Sequence, residues 1–537
     1  MKLLIKHITI FSIIIYASIA CEREIPFVLP EPTIIPLFES TNAVVQEPGK
    51  PVLLEFEIQA TSGIKSFQLF KNDEPFDTAE ELVDEISGNY TLNYLIPSDE
   101  PIGTQTNFEF ILTDLEDRVS KFSIILIAGN TFTETEETIN GTTVIRLKGR
   151  INGDYRFNAD KIYLVDSTFS IEDGGDLIID EGAIVYFKTY DNPNVVSRLV
   201  ITRNSTINAK GTADNPIIFT SDKVLMGETP EPTDWGGIFI FGNAPTNQGN
   251  VILEDGFRYG GNNLSENSGT LSFVRNEYAG KAGFHGIHFF GVGEGTQVNN
   301  IQVFQNENIA FRVKGGGVNL KYIAGIGHGG YGLWAEHGWK GYGQFWIFQT
   351  NRQATLVPVN FWNQARSVEL RSDETFFLTE PRTEFVISNV TLIGNGDAEG
   401  TENGTRRGVR IRRGAFGIFQ NAIVTEFPDD AVRMEDLDVE EYGDVMILDN
   451  IYAFNNRKNF EEDAEAIFLA SGEYNLSEEA VPGISINNFI GSVPSDFNPS
   501  TIDNWFDDAP FVGAVPLDGA DWTSEGSWFK NIDGTIR

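Results

Sequence analysis

The chain has 537 residues with 77 acidic against 39 basic side chains, a formal charge of −38. A surface this acidic excludes nucleic acid as the partner, because phosphates need clustered Lys and Arg, and it disfavours resting against anionic lipid. The length exceeds what one compact core holds, and 53 glycines and 41 phenylalanines against 4 methionines point to β structure, in two domains or an elongated repeat.

Lys2 and Lys6 precede the apolar run from Ile8 to Ala20, which is too short for a permanent membrane span and has the order of an export signal. The run ends in Ser18-Ile19-Ala20-Cys21, and Cys21 is the sole cysteine, so no disulfide framework is possible. These four residues resemble the bacterial lipobox. The resemblance implies cleavage before Cys21 and lipid on its thiol, with acyl chains contributing roughly 0.8 kcal/mol per buried CH₂. Residues 1–20 are then a lipoprotein signal peptide, and residues 21–31, with Pro26 and Pro30, a lipidated tether. Cleavage removes two lysines and no acids, taking the charge to −40 (−38 − 2). Glu22-Arg23-Glu24 resembles the acidic tag that sends Bacteroidota lipoproteins to the cell exterior. The expected location is therefore the outer membrane, lipid-anchored and exposed at the cell surface.

Residues 32–129 read as short strands between turns. Ser66-Phe67-Gln68-Leu69-Phe70 alternates polar and apolar, and Phe108-Glu109-Phe110-Ile111-Leu112 and Phe122-Ser123-Ile124-Ile125-Leu126 follow at turn-separated intervals. Roughly a hundred residues of such strands predict an immunoglobulin-like β-sandwich.

From residue 130 to 537 the pattern changes to short apolar strands between tight polar turns, such as Leu177-Ile178-Ile179, Leu199-Val200-Ile201 and Ile217-Ile218-Phe219. An asparagine followed by an apolar strand recurs at Asn300, Asn319, Asn389, Asn421, Asn450 and Asn488. Irregular spacing of this kind predicts a solenoid, a parallel β-helix in which turn asparagines stack and their amides bond along the stack.

Several phrases in this region carry a family resemblance. They include Glu181-Gly182-Ala183, the stretch from Ala209-Lys210-Gly211 to Ser221, Trp235-Gly236-Gly237-Ile238 and Gly242-Asn243-Ala244-Pro245. Tyr259-Gly260-Gly261-Asn262, Gly291-Val292-Gly293-Glu294-Gly295-Thr296 and Asp521-Trp522-Thr523 complete the set. Together they resemble a group of Bacteroidota surface lipoproteins with a right-handed parallel β-helix. The resemblance implies that fold, a cell-envelope location and the company of an outer-membrane complex, often a TonB-dependent transporter. Where those relatives have an acidic turn after Asn-Leu-Lys-Tyr, this chain has Gly325-Ile326-Gly327-His328-Gly329-Gly330.

Parallel β-helices commonly belong to pectin and alginate enzymes, so chemistry has to be weighed. Gly327-His328-Gly329 and Arg410-Ile411-Arg412 look like two of four polygalacturonase landmarks. The acidic landmarks that should precede them are missing, since the first Asp-Asp after residue 130 is Asp429-Asp430. Inverting hydrolysis needs two carboxylates roughly 6.5–9.5 Å apart, and none are placed for it. A lyase with Arg312 or Lys314 as its base is the enzymatic alternative.

Four histidines, His285, His288, His328 and His337, fall close together in sequence and are weak candidates for zinc. No carboxylate spacing completes a set, and on a strand His285 and His288 would face opposite ways, so ladder or surface roles are expected, with no metal and no cofactor. Trp334, Trp339 and Trp346 are the candidate binding residues, as a platform for sugar rings or another protein; filling the solenoid interior is the competing role. The acidic run Asp429 to Asp444 lacks EF-hand order and reads as a solvated loop. The function expected is a non-catalytic surface lipoprotein that binds a partner or glycan beside a transporter, with a polysaccharide lyase as the alternative.

Overall fold

The computed structural model describes residues 30–38, 43–129, 131–172, 174–350, 366–396, 407–436, 445–461, 464, 466 and 476–537. Cys21 and the signal segment lie outside the described residues, as does 437–444 of the acidic run. Among the described residues no helix is long and apolar enough to cross a membrane.

The described residues divide into two compact units, one within Met1–Leu37, Pro51–Leu95 and Gln105–Leu126, the other within Phe38–Lys50, Ile96–Thr104 and Ile127–Arg537. In the first, strands Thr33–Pro36, Pro51–Gln59 and Ser87–Leu95 form an antiparallel sheet. Val119–Ala128, Gln105–Asp114, Ile64–Lys71 and Glu74–Thr78 follow one another in the other sheet. Along Pro51–Gln59, Val52, Leu54, Phe56 and Ile58 are buried while Leu53 and Glu55 are exposed, the period of two that a one-sided sheet requires. Phe56 of one sheet and Phe110 of the other meet with ring centroids 4.3 Å apart, so the buried faces make a sandwich core.

The second unit is a parallel β-helix of three sheets. The first sheet contains Arg198–Ile201, Ile238–Phe241, Ile287–Phe290, Phe311–Lys314, Leu333–Glu336, Arg366–Arg371, Arg407–Arg412 and Asp430–Glu435 in succession. The second and third sheets are two halves of longer strands, among them Gln297–Phe304, Asn319–His328, Lys340–Thr350, Glu384–Ile393 and Phe416–Thr425. Ile287, Phe311, Leu333, Val368, Val409 and Val432 stack in register on the inner side of the first sheet, all buried. The antiparallel strand Phe132–Ile139, with Glu134 and Glu136 exposed, pairs with Thr142–Asn152 at the N-terminal end and covers an edge that would otherwise offer free main-chain groups.

Each long strand bends between the second and third sheets at a single residue in the left-handed region: Asn300 (φ 53°), Tyr322 (54°), Phe345 (58°), Asn389 (56°) and Asn421 (52°). Asparagine tolerates this conformation best among residues with a side chain, which accounts for the recurring phrase. Asn319 carries the phrase but begins its strand, three residues ahead of the bend at Tyr322.

The all-β expectation, a sandwich followed by a parallel β-helix, is what the structure shows. Two details are corrected. The described rung strands end at Leu476–Ser477, not at residue 537. The remaining chain returns as a strap over the third sheet, where Trp522, Trp528 and Phe529 join Phe304, Ile326, Phe345 and Ile347 in one apolar cluster. Asn488 therefore lies on this strap and not on a rung; its amide donates to the Gly483 carbonyl. The turn amides also bond differently from a ladder. Asn389 donates to the carbonyl of Phe511 at 2.6 Å and Asn421 to that of Phe497 at 3.2 Å, both on the strap. Aromatic residues interrupt the column at Tyr322 and Phe345, so a continuous amide stack cannot form, and main-chain carbonyls of the strap accept from the asparagine amides instead.

Candidate functional site

The outward side of the first sheet concentrates charge. In register from rung to rung the outward positions are Arg312 and Lys314, Trp334 and Glu336, Glu369 and Arg371, Arg410 and Arg412, then Arg433 and Glu435. Each pair is separated by an apolar residue facing inward, because side chains alternate across a strand. That row holds six cations against three carboxylates. The first residues of three of these strands, Arg366, Arg407 and Asp430, and the flanking turns, with Arg413 and Arg457 against Asp373, Glu374, Asp429 and Asp436, add charges close to balance.

Glu336 is the hub. It is buried and accepts from both Arg312 and Arg371, with His337 Nε2 at 3.6 Å. Burial pushes its carboxyl up, but the surrounding cations, Arg312 foremost, outweigh that and hold it well below the usual carboxylate range. The two guanidiniums also lie over Trp334, with Cζ 4.1 and 4.4 Å from the ring centroid, a cation–π arrangement. Lys314 sits at the edge of this cluster, partly exposed, 3.9 Å from Glu336 and 5.0 Å from the Phe290 ring. Burial and then repulsion from Arg312 bring its ammonium down to about 8. Further along, Glu369 accepts from Arg412 at 2.7 Å, and Glu435 pairs with Arg410 and Arg433.

The three tryptophans part company. Trp334 faces outward as described. Trp339 and Trp346 are fully buried inside the solenoid, their indole N–H groups donating to the carbonyls of Val318 (3.0 Å) and Leu320 (2.9 Å). This corrects their assignment as binding residues: they cannot touch a ligand, and they fill the core.

The histidines do not converge either. His285 precedes its strand, so alternation does not govern it, and its ring lies 4.9 Å from that of His288 on the same side. His288 stacks on Phe239 at 3.7 Å, a ladder contact between rungs. His328 ends a third-sheet strand, buried, with Nδ1 3.2 Å from the Gly330 carbonyl oxygen. Burial lowers all four, His328 and His337 to about 4. Among the described residues no three His, Cys, Asp or Glu side chains are grouped as a metal ion requires. The two polygalacturonase-like phrases separate as well, since His328 is on the third sheet and Arg410 and Arg412 are on the first. Asp429 and Asp430 are not a free acidic loop: Asp429 pairs with Arg457 (3.1 Å) and Asp430 with Arg407 (3.1 Å) and Arg433 (3.2 Å).

Arg312 and Lys314 were legible as candidates, whereas Glu336, Glu369, Arg371, Arg433 and Glu435 were not. The signal was present: Phe311-Arg312-Val313-Lys314, Leu333-Trp334-Ala335-Glu336, Val368-Glu369-Leu370-Arg371, Val409-Arg410-Ile411-Arg412 and Val432-Arg433-Met434-Glu435 share one apolar–polar alternation. Its spacing is irregular because the turns between those strands vary in length.

No curated protein matches the chain in sequence. Among solved structures, that of the pectate lyase PelI from Erwinia chrysanthemi in complex with tetragalacturonic acid is similar at 7% identity and a TM-score of 0.10, covering 76% of this chain and 86% of that one. The family model for the pectate-lyase-like β-helix domain matches residues 149–473, more than half of the chain. With three parallel sheets wound through those same residues, the chain belongs to the pectate-lyase-like β-helix domain family.

Proposed function

We propose that this protein is a non-catalytic accessory lipoprotein of the outer-membrane surface. It is held there through Cys21 and binds an acidic polysaccharide on the first sheet, in the service of a TonB-dependent transport complex. One observation carries the reading: the outward row of the first sheet gathers six cations against three carboxylates in a chain whose formal charge is −38, and while Arg312 and Arg371 are buried against Glu336 and Trp334, Lys314, Arg410, Arg412 and Arg433 reach the surface. Guanidinium forks suit the carboxylates of uronic acids, and the fold family supports a polymer of sugars. Glycoside hydrolysis needs one carboxyl kept protonated as an acid. In this row Glu336, Glu369 and Glu435 all accept from arginines, and Glu336 is held ionised. That arrangement supports recognition rather than hydrolysis.

Lys314 favours a second reading. An amine brought down to about 8 is matched to general-base work. It would take the proton beside a uronate carboxylate while the glycosidic C–O bond breaks and a C=C bond forms, the leaving oxygen taking a proton from water. Titration of the full chain with polygalacturonate and alginate, alongside the ultraviolet absorbance of unsaturated uronate, separates the two. The expected result is binding without new absorbance, weakened about tenfold (~1.4 kcal/mol) by Arg433→Ala. Absorbance that grows and is abolished by Lys314→Met would establish the lyase instead, and no binding at all would sink both. For the anchor, Cys21→Ala should move the exported protein to the soluble fraction; its retention in membranes would remove the lipid assignment.

A further inference from the structure

A groove on the outward side of the second sheet shares no residue with the charged row of the first. Two adjoining hollows of about 550 and 530 Å³ are both lined by Glu294, Asn319 and Trp505. Their floor is a register row, Gln297, Asn319, Tyr342 and Val386, taken from four consecutive rungs. Three steps of about 4.8 Å make ~14 Å, a length suited to several linked sugars rather than one.

Trp505 forms the wall and comes from the strap. Asp507 holds that segment to the sheet by a reciprocal pair with Gln344, its N–H donating to Oε1 at 2.8 Å and its carbonyl accepting from Nε2 at 3.1 Å. The Trp505 N–H donates to Asp503 at 2.8 Å. Its half-buried ring is braced by Phe506 (5.0 Å), Tyr342 (5.7 Å) and the Lys321 ammonium (4.5 Å). A ring fixed in this way loses little freedom on binding. Beside it, Asn319 Oδ1 accepts from the Tyr342 N–H at 2.8 Å, which leaves the amide NH₂ to donate.

The charges in the groove select against a polyanion. Lys340 pairs with Glu384 and Lys321 with Asp507, each at 3.0 Å, which leaves Glu294 and Asp503 as net negative charge. Aromatic faces suit the C–H side of a sugar ring, and amides suit its hydroxyls. The geometry points to a binding site for a neutral oligosaccharide along the second sheet, with Trp505 as its stacking face. The site is independent of the acidic-polysaccharide reading, and either stands if the other falls.

The test titrates the detergent-purified full chain with cellohexaose, mannohexaose, xylohexaose and chitohexaose, following calorimetric heat and tryptophan fluorescence. At least one should bind saturably, with an affinity that Arg433→Ala leaves unchanged and Trp505→Ala lowers about tenfold or more at unaltered Tm. Should Trp505→Ala not fold, Gln297→Tyr at the exposed floor position blocks the groove and gives the same loss. The proposal is overturned if none of the four sugars binds, or if binding persists at wild-type strength in every folded variant of the two.

Discussion

Trp339 and Trp346 fill the solenoid because two glycines make room for them. A Cβ on Gly341 would run into the indole of Trp339, and one on Gly343 into that of Trp346. The pattern Trp339-x-Gly341-x-Gly343-x-x-Trp346 was visible in the sequence, but its facing was not, since a shift of one residue moves a strand's whole side-chain set to the other face. Trp346→Ala is expected to cost about 3–5 kcal/mol, read as a lowered denaturation midpoint, whereas the outward Trp334→Ala should move it far less. Equal losses would mean that Trp334 also packs as core. The buried histidines give the residue scale a pH signature. His328 is lowered from 6.5 to about 4 by burial, so between those values the unfolded chain binds a proton that the folded chain refuses. Stability therefore rises with pH across that window, by about 1.4 kcal/mol per unit for each such histidine. Glu307, raised to about 7 by burial, works in the opposite direction over part of the range. Because the groups overlap, the clean measurement is a difference: His328→Asn should flatten the Tm-against-pH slope between pH 4 and 6.5 by one proton. An unchanged slope would mean that His328 is protonated in the fold.

The strap is the element that sequence reasoning read as more solenoid. Its phrases have the same grammar as rungs, an asparagine followed by apolar residues at Asn488-Phe489-Ile490, because each presents one apolar side, a rung to the solenoid interior and the strap to the third sheet. What separates them is the partner of the main chain, and composition does not record that. The solenoid rungs were legible through the Asn-apolar phrase because asparagine marks a left-handed bend, and they were illegible where Tyr322 and Phe345 occupy the same bend. Those aromatic occupants are stacked on each other at 4.7 Å, and Tyr322 is covered by Trp522 at 5.3 Å. A bend that is costly for an aromatic residue is thus offset by burial under the strap. Gln302 exchanges two hydrogen bonds with the main chain of Lys530, at 2.8 and 2.9 Å. Gln302→Ala leaves the partly buried N–H and carbonyl of Lys530 without these partners, at about 1 kcal/mol, and should expose the C-terminal sixty or so residues to limited proteolysis before the rungs. Trp528→Ala should do the same more severely, since that ring is fully buried in the cluster beneath the strap. Cleavage that begins among the rungs in both variants would show that the strap is not a separable layer.

At the scale of the molecule, a formal charge of −38 and a locally cationic row act on an acidic polymer with opposite signs and different ranges. At about 0.01 M salt the Debye length is roughly 30 Å, so an approaching polyuronate feels most of the molecule's negative charge. At about 0.1 M it shrinks to roughly 10 Å, and only the charges nearest the contact still count. The first sheet then presents Arg410, Arg412 and Arg433 with little of the distant repulsion. Affinity for polygalacturonate should therefore rise as salt is raised from about 0.01 to 0.1 M and fall beyond that, as the local pairs are screened in their turn. Binding in the second-sheet groove, which rests on stacking and amide hydrogen bonds, should stay flat across the same series. Calorimetric titrations with polygalacturonate and with the neutral hexasaccharides, run at several salt concentrations, read both curves. A monotonic fall for polygalacturonate from the lowest salt would mean that the cationic row dominates at every distance. A parallel rise for the neutral sugars would assign the low-salt weakness to the protein's own charge repulsion loosening the fold rather than to the ligand's approach.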